Sequence, residues 1–130
     1  MIHVDSKESL ETEAVTIDEY LNLTCSDDMN EVIARGNDIA VYLARTEKML
    51  ADAKYWQDVA INTNAILVDE TYKSMPTSTK NKLIDSMCQQ ENCLYTWIDR
   101  LNSACVHQLD WLRSVLSKGK EEMRLSKVQY

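Results

Sequence analysis

From Met29 onward, apolar and small residues recur at steps of three and four: Val32, Ile33, Gly36, Ile39, Ala40, Leu43, Leu50, Ala53, Trp56, Ala60 and Leu67. That period of about 3.6 residues belongs to a helix with one packed face. Ser26 offers an N-cap, and Asp27 and Asp28 follow in the first turn, where the helix dipole favours anions. The pattern predicts a helix over residues 27–72. Pro76 stops it, because proline disfavours helix in the preceding residue, and Thr77, Ser78 and Thr79 can cap the next one. A second stripe, Leu83, Ile84, Met87, Leu94, Trp97, Ile98, Leu101, Ala104, Cys105, Trp111, Leu112 and Val115, predicts a helix over 78–118 that ends at Gly119. Two helices of matching length joined by a short loop are expected to lie antiparallel. A reversal at Pro76 would make facing residue numbers total about 152. Leu67 would then face Ile84, Trp56 would face Trp97, Leu50 would face Leu101, and Gly36 would open a close crossing for Trp111.

Ahead of this hairpin, residues 1–15 are polar and without sustained period, which reads as a mobile arm. Thr16 and Glu19 have the spacing of a capping box before Tyr20, Leu21 and Leu23, so a helix of about two turns is expected there. The predicted fold is all-α: a long antiparallel two-helix hairpin with a short N-terminal helix, completed to a helical bundle by oligomerisation. The corresponding units are an arm over 1–25, the hairpin over 26–119 and a mildly basic tail over 120–130. Tyr42, Met49 and Trp56 widen the apolar face of the first helix beyond what one partner helix covers, which points to a homo-oligomer, most simply a two-fold dimer. Docking of the short helix on that face is the competing cover.

Charge adds an asymmetry. The chain of 130 residues carries a net charge of −7, and residues 1–31 hold nine acids against Lys7 alone. An antiparallel hairpin would bring Asp18, Glu19, Asp27 and Asp28 beside Arg113, Lys118, Lys120 and Arg124. That end is the expected partner-binding surface, held by exposed pairs that are weak and exchangeable. Removal of residues 1–24 is accordingly expected to spare most of the helicity. Two glycines, one proline and no phenylalanine leave few turn signals, which fits a small number of long elements.

Candidate chemistry is sparse. No Glu-x-x-His pair suits a carboxylate-bridged metal, His3 and His107 stand apart, and no glycine-rich phosphate loop or nucleophile elbow occurs. Cys88 and Cys93 are about 140° apart around a helix and form no zinc knuckle. Cys88 and Cys105 read as small core residues, and Cys25, in a predicted loop, as the most reactive thiol. Thr46 and Glu47 on the first helix and Gln90, Glu91 and Gln108 on the second interrupt the seam and read as register-setting. No catalytic, metal-binding or cofactor-binding residue is expected, and the chain is expected not to be an enzyme. The absence of an apolar leader and of a span of about 20 apolar residues predicts a soluble, cytoplasmic protein.

Several segments carry a resemblance: Tyr42-Leu-Ala-Arg-Thr-Glu-Lys-Met-Leu-Ala-Asp-Ala-Lys-Tyr55, Ile84-Asp-Ser-Met-Cys88, His107-Gln-Leu-Asp-Trp-Leu-Arg113 and Lys120-Glu-Glu-Met-Arg-Leu125. Across residues 39–125 the chain resembles uncharacterised small helical proteins encoded by phages and prophages of gut bacteria. The resemblance implies an accessory protein inside a bacterial host cell that modulates or inhibits a host or phage protein. The alternative is an accessory factor for phage DNA recombination or replication, binding nucleic acid weakly through its basic C-terminal end.

Overall fold

The computed structural model describes residues 2–128, and of Val128 only the backbone. It contains four α-helices in the order α1 (Lys7–Leu21), α2 (Met29–Thr71), α3 (Thr77–Met87) and α4 (Gln89–Val128), with no strand among the described residues. Residues 129 and 130 of the expected tail lie outside the described residues.

The N-terminal arm is where expectation and structure part most. Ser6 caps α1, its hydroxyl oxygen accepting from the Ser9 N–H at 3.1 Å. Leu10, Ala14, Ile17 and Leu21 follow at spacings of four, three and four, which sets them on one stripe, and all four are buried. Thr16 is no cap: in mid-helix its hydroxyl donates to the Thr12 carbonyl at 3.2 Å. The helix therefore starts nine residues before the expected capping box.

α2 keeps its expected length of roughly 65 Å. Its cap is Asp28, two residues after Ser26, and the Asp28 carboxylate accepts from the Glu31 N–H at 3.3 Å. Ser26 supports that cap by accepting from the Asp28 N–H at 3.2 Å and donating to the Glu31 carboxylate. The second expected helix is two helices. At Cys88 the backbone leaves the helical path (φ −105°, ψ 23°), and its N–H is shared between the carbonyls of Ile84 at 3.1 Å and Asp85 at 3.2 Å. Nor does Gly119 end α4, which runs on to Val128. A glycine stops a helix by turning left-handed, and here no glycine has positive φ.

Antiparallel contact between α2 and α4 is set by the facing pairs Met29–Gly119, Gly36–Leu112 and Thr46–Asn102, each totalling 148 instead of 152. The slip of about one turn enters at the Cys88 break, since Asn64 still meets Cys88, a total of 152, whereas Gln57 meets Asn92, a total of 149. Tyr72 and Met75 make the reversal, with the Met75 N–H on the Tyr72 carbonyl at 3.0 Å, and Pro76 is already the cap of α3. Gly36 consequently meets Leu112, whose Cδ1 lies 4.0 Å from where a Cβ would sit, while Trp111 is 51% exposed and off the core stripe. The expected close crossing at Gly36 is absent; it occurs at Gly119, where a Cβ would come within 2.6 Å of the Met29 sulfur.

α1 runs back along α2, with Asp5 at Trp56, Glu13 at Arg45 and Tyr20 at Asp38. The first two-thirds of α2 is thus one member of a three-helix bundle whose core joins Leu10, Ile17, Ile39, Met49, Ile98 and Leu112. Beyond Trp56 no third helix is present, and a smaller core of Val68, Ile84 and Cys88 holds α2 against α3 and the start of α4.

Candidate interaction surfaces

Four residues at helical spacing on α2, Arg45, Lys48, Asp52 and Trp56, grip the chain ahead of α1. The Asp52 carboxylate, almost fully buried, accepts from the Asp5 N–H at 3.2 Å and from Lys48. The Lys48 ammonium also donates to the His3 carbonyl at 2.9 Å, and the Trp56 indole N–H to the Asp5 carbonyl at 2.8 Å. Arg45 reaches Glu13 with two N–H donors at 2.7 Å, a bidentate geometry that holds a carboxylate better than a single contact. The Glu13 hydrogen bonds, and with them the charges of Glu13 and Asp5, raise the Arg45 pKa, burial opposing them. Asp5 and Glu13 of the arm are thus engaged within the chain.

This clasp relocates the residues expected to drive self-association. Met49 is 0% exposed, in the core beneath α1. Tyr42 packs against Tyr20 with the rings tilted by 56° and their centroids 4.9 Å apart, and Trp56 carries the Lys7 ammonium 5.8 Å above its ring. The apolar width noted on α2 is real, but the chain's own α1 and residues 3–7 cover it.

At the other end of α1, Arg35 is 9% exposed and faces no carboxylate in an ion pair among the described residues. Its guanidinium donates to the Leu21 carbonyl at 3.4 Å and to Gln108 Oε1 at 3.0 Å, and lies 4.4 Å from the Tyr20 ring centroid. Gln108 donates to the same carbonyl at 3.0 Å. Arg35 therefore offsets the negative end of the α1 dipole and closes its last turn, which accounts for a buried cation without an acid. Tyr20 donates to Asp38 at 3.0 Å, and burial, then that hydrogen bond and the carboxylate's charge, push its pKa up from 10.0 to about 12.

The end carrying Asp27 and Lys118 is only partly assembled as expected. Asp27, Met29, Val115, Lys118, Gly119, Glu122, Met123 and Ser126 line a cleft of about 500 Å³. Arg113 and Arg124, by contrast, pair with Asp110 at 3.2 Å and Glu121 at 2.6 Å on their own helix. Asp28 is a cap, Asp18 accepts from the Asn22 amide at 3.3 Å, and Glu19 and Lys120 are exposed. No ion pair joins the four acids to the four bases among the described residues.

Among the polar seam residues, Thr46 is fully buried and accepts from the Asn102 amide at 3.0 Å, while Glu91 pairs with Lys7 at 3.1 Å. Glu47 and Gln90 are exposed. Cys88 and Cys105 are buried, with the Cys105 thiol pushed up by desolvation, and Cys93 is exposed. Cys25 is partly buried in the loop between α1 and α2. Among the described residues no three His, Cys, Asp or Glu side chains converge to hold a metal ion, and no helix is long and apolar enough to cross a membrane.

The two-helix end has the opposite character. Tyr55, Val59, Ile66, Leu67, Tyr72 and Met87 are all exposed there, Ile66 at 62% and Leu67 at 53%. No family model matches the chain, and neither a curated protein nor a solved structure does. Sequence reasoning passed over Arg35, Arg45 and Asp52 because charged residues at seam positions look like solvated ones. The signal that could have found them is the four-three-four spacing of Leu10, Ala14, Ile17 and Leu21, which demands a third helix on α2.

Proposed function

We propose that the chain is a non-enzymatic accessory protein that acts by binding another polypeptide through the two-helix end of α2, α3 and early α4. The observation that carries this reading is the run of exposed Val59, Ile66, Leu67 and Met87 on an end whose own core is only Val68, Ile84 and Cys88. Several exposed apolar side chains gathered at one end of a small domain point to an interface there. A phage or prophage setting in a bacterial cytoplasm, with a host or phage protein as target, is the context that the resemblance supplies.

Nucleic-acid binding through the C-terminal end has weaker support. Arg113 and Arg124 each hold a carboxylate one turn away, so a phosphate contact would first have to displace it. The test is co-purification from cells expressing the protein, wild type beside the Val59→Asp/Ile66→Asp double variant. Both sites are exposed, so the variant should keep its helicity and its melt. Loss of a stoichiometric partner from the variant alone supports the reading; an identical set of partners in both rejects it.

A further inference from the structure

Arg35 owes its burial to its place in the chain. It stands three residues after Val32 and four before Ile39, so the core stripe of α2 carries a cation between two aliphatic residues. Both hydrogen bonds that fix it, to the Leu21 carbonyl and to Gln108 Oε1, come from Nη2, and the Tyr20 ring covers one face of the guanidinium. Nε and Nη1 donate to no acceptor among the described residues, where no buried side-chain nitrogen lacks a partner. These two nitrogens therefore keep contact with solvent although the residue is only 9% exposed. Beside them, Arg35 and Gln108 line a cavity of about 270 Å³ together with Leu21, Leu23, Trp111 and Leu112.

We propose that this cavity binds a small organic monocarboxylate, its carboxylate accepting from the free N–H groups of Arg35 and its apolar body lying against Leu23 and Trp111. The site is separate from the two-helix end and does not depend on what binds there. Charge carries the assignment. The chain holds 21 aspartates and glutamates against 14 lysines and arginines, yet none of those acids lines this cavity among the described residues. The C-terminal end of α1 offsets only part of the cation, since a helix end carries the equivalent of about half a charge. The surplus is positive, and it sits where a donor to a carboxylate is stronger than in open water.

Size and lining narrow the class. The volume lies just under the roughly 300–1,000 Å³ usual for small-molecule pockets, which suits a compact acid and leaves no room for a nucleotide. A phosphate would bring up to two charges and three acceptor oxygens to one partly offset guanidinium, whereas a carboxylate brings one charge. Leu23 and Trp111 are 61% and 51% exposed, so an aromatic or aliphatic body seated on them covers apolar surface that the fold leaves wet. A ligand of about ten heavy atoms held this way is expected to dissociate on the order of 1 mM.

Titrating the full chain with 3-phenylpropanoate and following nitrogen–proton NMR signals tests this. The Arg35 Nε–H and Trp111 indole signals should shift and saturate, while the Arg45 Nε–H, already held by Glu13, stays in place. 3-Phenylpropanamide, which has the same shape without the charge, should bind at least about tenfold more weakly. Because Arg35 also holds α1, the variant of choice is Trp111→Asp: it sets a carboxylate at a half-exposed position of the lining and should abolish the response with an unchanged far-ultraviolet spectrum. Equal binding of acid and amide, shifts at Arg45 as large as at Arg35, no saturable shift at Arg35, or a Trp111→Asp variant that binds like wild type each overturns the inference. Competition by a short peptide ending in Phe with a free carboxylate, and not by its amidated form, would confirm the carboxylate recognition and place it on a polypeptide C-terminus. Absence of competition by either peptide, with 3-phenylpropanoate bound, would confirm it for a free acid.

Discussion

The two ends of α2 are one continuous helix in two environments. Its N-terminal two-thirds is enclosed by α1 and α4, and there it buries Arg35, Thr46 and Asp52 as well as Ile39 and Met49. Its last third has α3 and the start of α4 on one side only, buries no charged residue, and leaves Val59, Ile66 and Leu67 exposed. The polar groups in the enclosed part are all satisfied, and no buried side-chain nitrogen or oxygen among the described residues lacks a partner. Because an unpaired buried charge is costly, Arg35 and Asp52 admit one docking of α1 and penalise others. The open end contains no such discriminating groups, which suits a surface that meets a separate chain.

The largest effect should come from removing the third helix. Deletion of residues 1–24, or Ile17→Asp alone, exposes or charges a core shared with Ile39 and Met49 and is expected to abolish the cooperative fold. Circular dichroism with a urea titration checks this; a cooperative transition surviving in the truncated chain would show that α2 and α4 stand without α1. The sequence reading led to the opposite expectation because it took residues 1–15 as an arm.

Milder truncations should grade the two ends. Ile17→Ala is expected to cost about 2–5 kcal/mol. Val68→Ala, which removes two methyl groups from a thinner core, should cost roughly 1–2 kcal/mol. Native-state hydrogen exchange sharpens the same contrast: amides around Val68 and Ile84 should exchange by a partial opening well below the global unfolding free energy, and those around Ile39 and Ile98 only by global unfolding. Uniform protection along α2 would erase the distinction.

Asp52→Ala tests the clasp. It leaves Lys48 and the Asp5 N–H without their acceptor and should cost roughly 1–3 kcal/mol. Trp56 reports the release directly, since its indole is bonded to Asp5, and its emission should shift to the red as the N-terminal segment lifts. An unchanged spectrum would place the grip in Arg45 and Glu13.

Much of this was legible in the sequence, for reasons that can be located. Helix type, the extent of α2 and a reversal near Pro76 follow from period and caps, which are local. The register departs from the expected one by about a turn beyond Cys88. The break at Cys88 has no glycine or proline to announce it. Gly119 was misread because composition cannot distinguish a glycine that ends a helix from one that lets Met29 pass. For the interaction surface, counting apolar width on α2 correctly found more than one partner helix covers. It could not tell that the chain itself supplies the second partner as far as Trp56, so the open face lies further along.

A pH dependence should separate the ends without touching the core. The Tyr20 phenol titrates at about 12 in the fold against 10.0 for an ordinary tyrosine. With the folded value raised, its contribution is complete below about pH 10 and is lost as pH climbs toward 12, because the unfolded chain ionises first. Stability measured between pH 9 and 11.5 should therefore fall more steeply in wild type than in Tyr20→Phe, roughly over that interval. Parallel profiles would mean that the Tyr20–Asp38 bond contributes little.

The smallest effect expected is a gain. Gly36 sits in the interior of α2, where glycine costs about 1 kcal/mol relative to alanine through the freedom it leaves the unfolded chain. A Cβ there would touch only Leu112 Cδ1, at an ordinary 4.0 Å, so Gly36→Ala should raise stability by up to about 1 kcal/mol. Gly119 is equally helical, yet a Cβ there would meet the Met29 sulfur at 2.6 Å and its methyl at 2.8 Å. The obstacle is the far end of a flexible side chain, so Met29 can swing toward the cleft beside it, and the propensity gain is offset by lost contact. Gly119→Ala should change stability by less than about 0.5 kcal/mol. Urea midpoints for the two variants decide the matter: if Gly119→Ala gained as much as Gly36→Ala, the approach of Met29 would be incidental. If Gly36→Ala lost stability, α2 and α4 would be closer at Leu112 than a 4.0 Å contact allows.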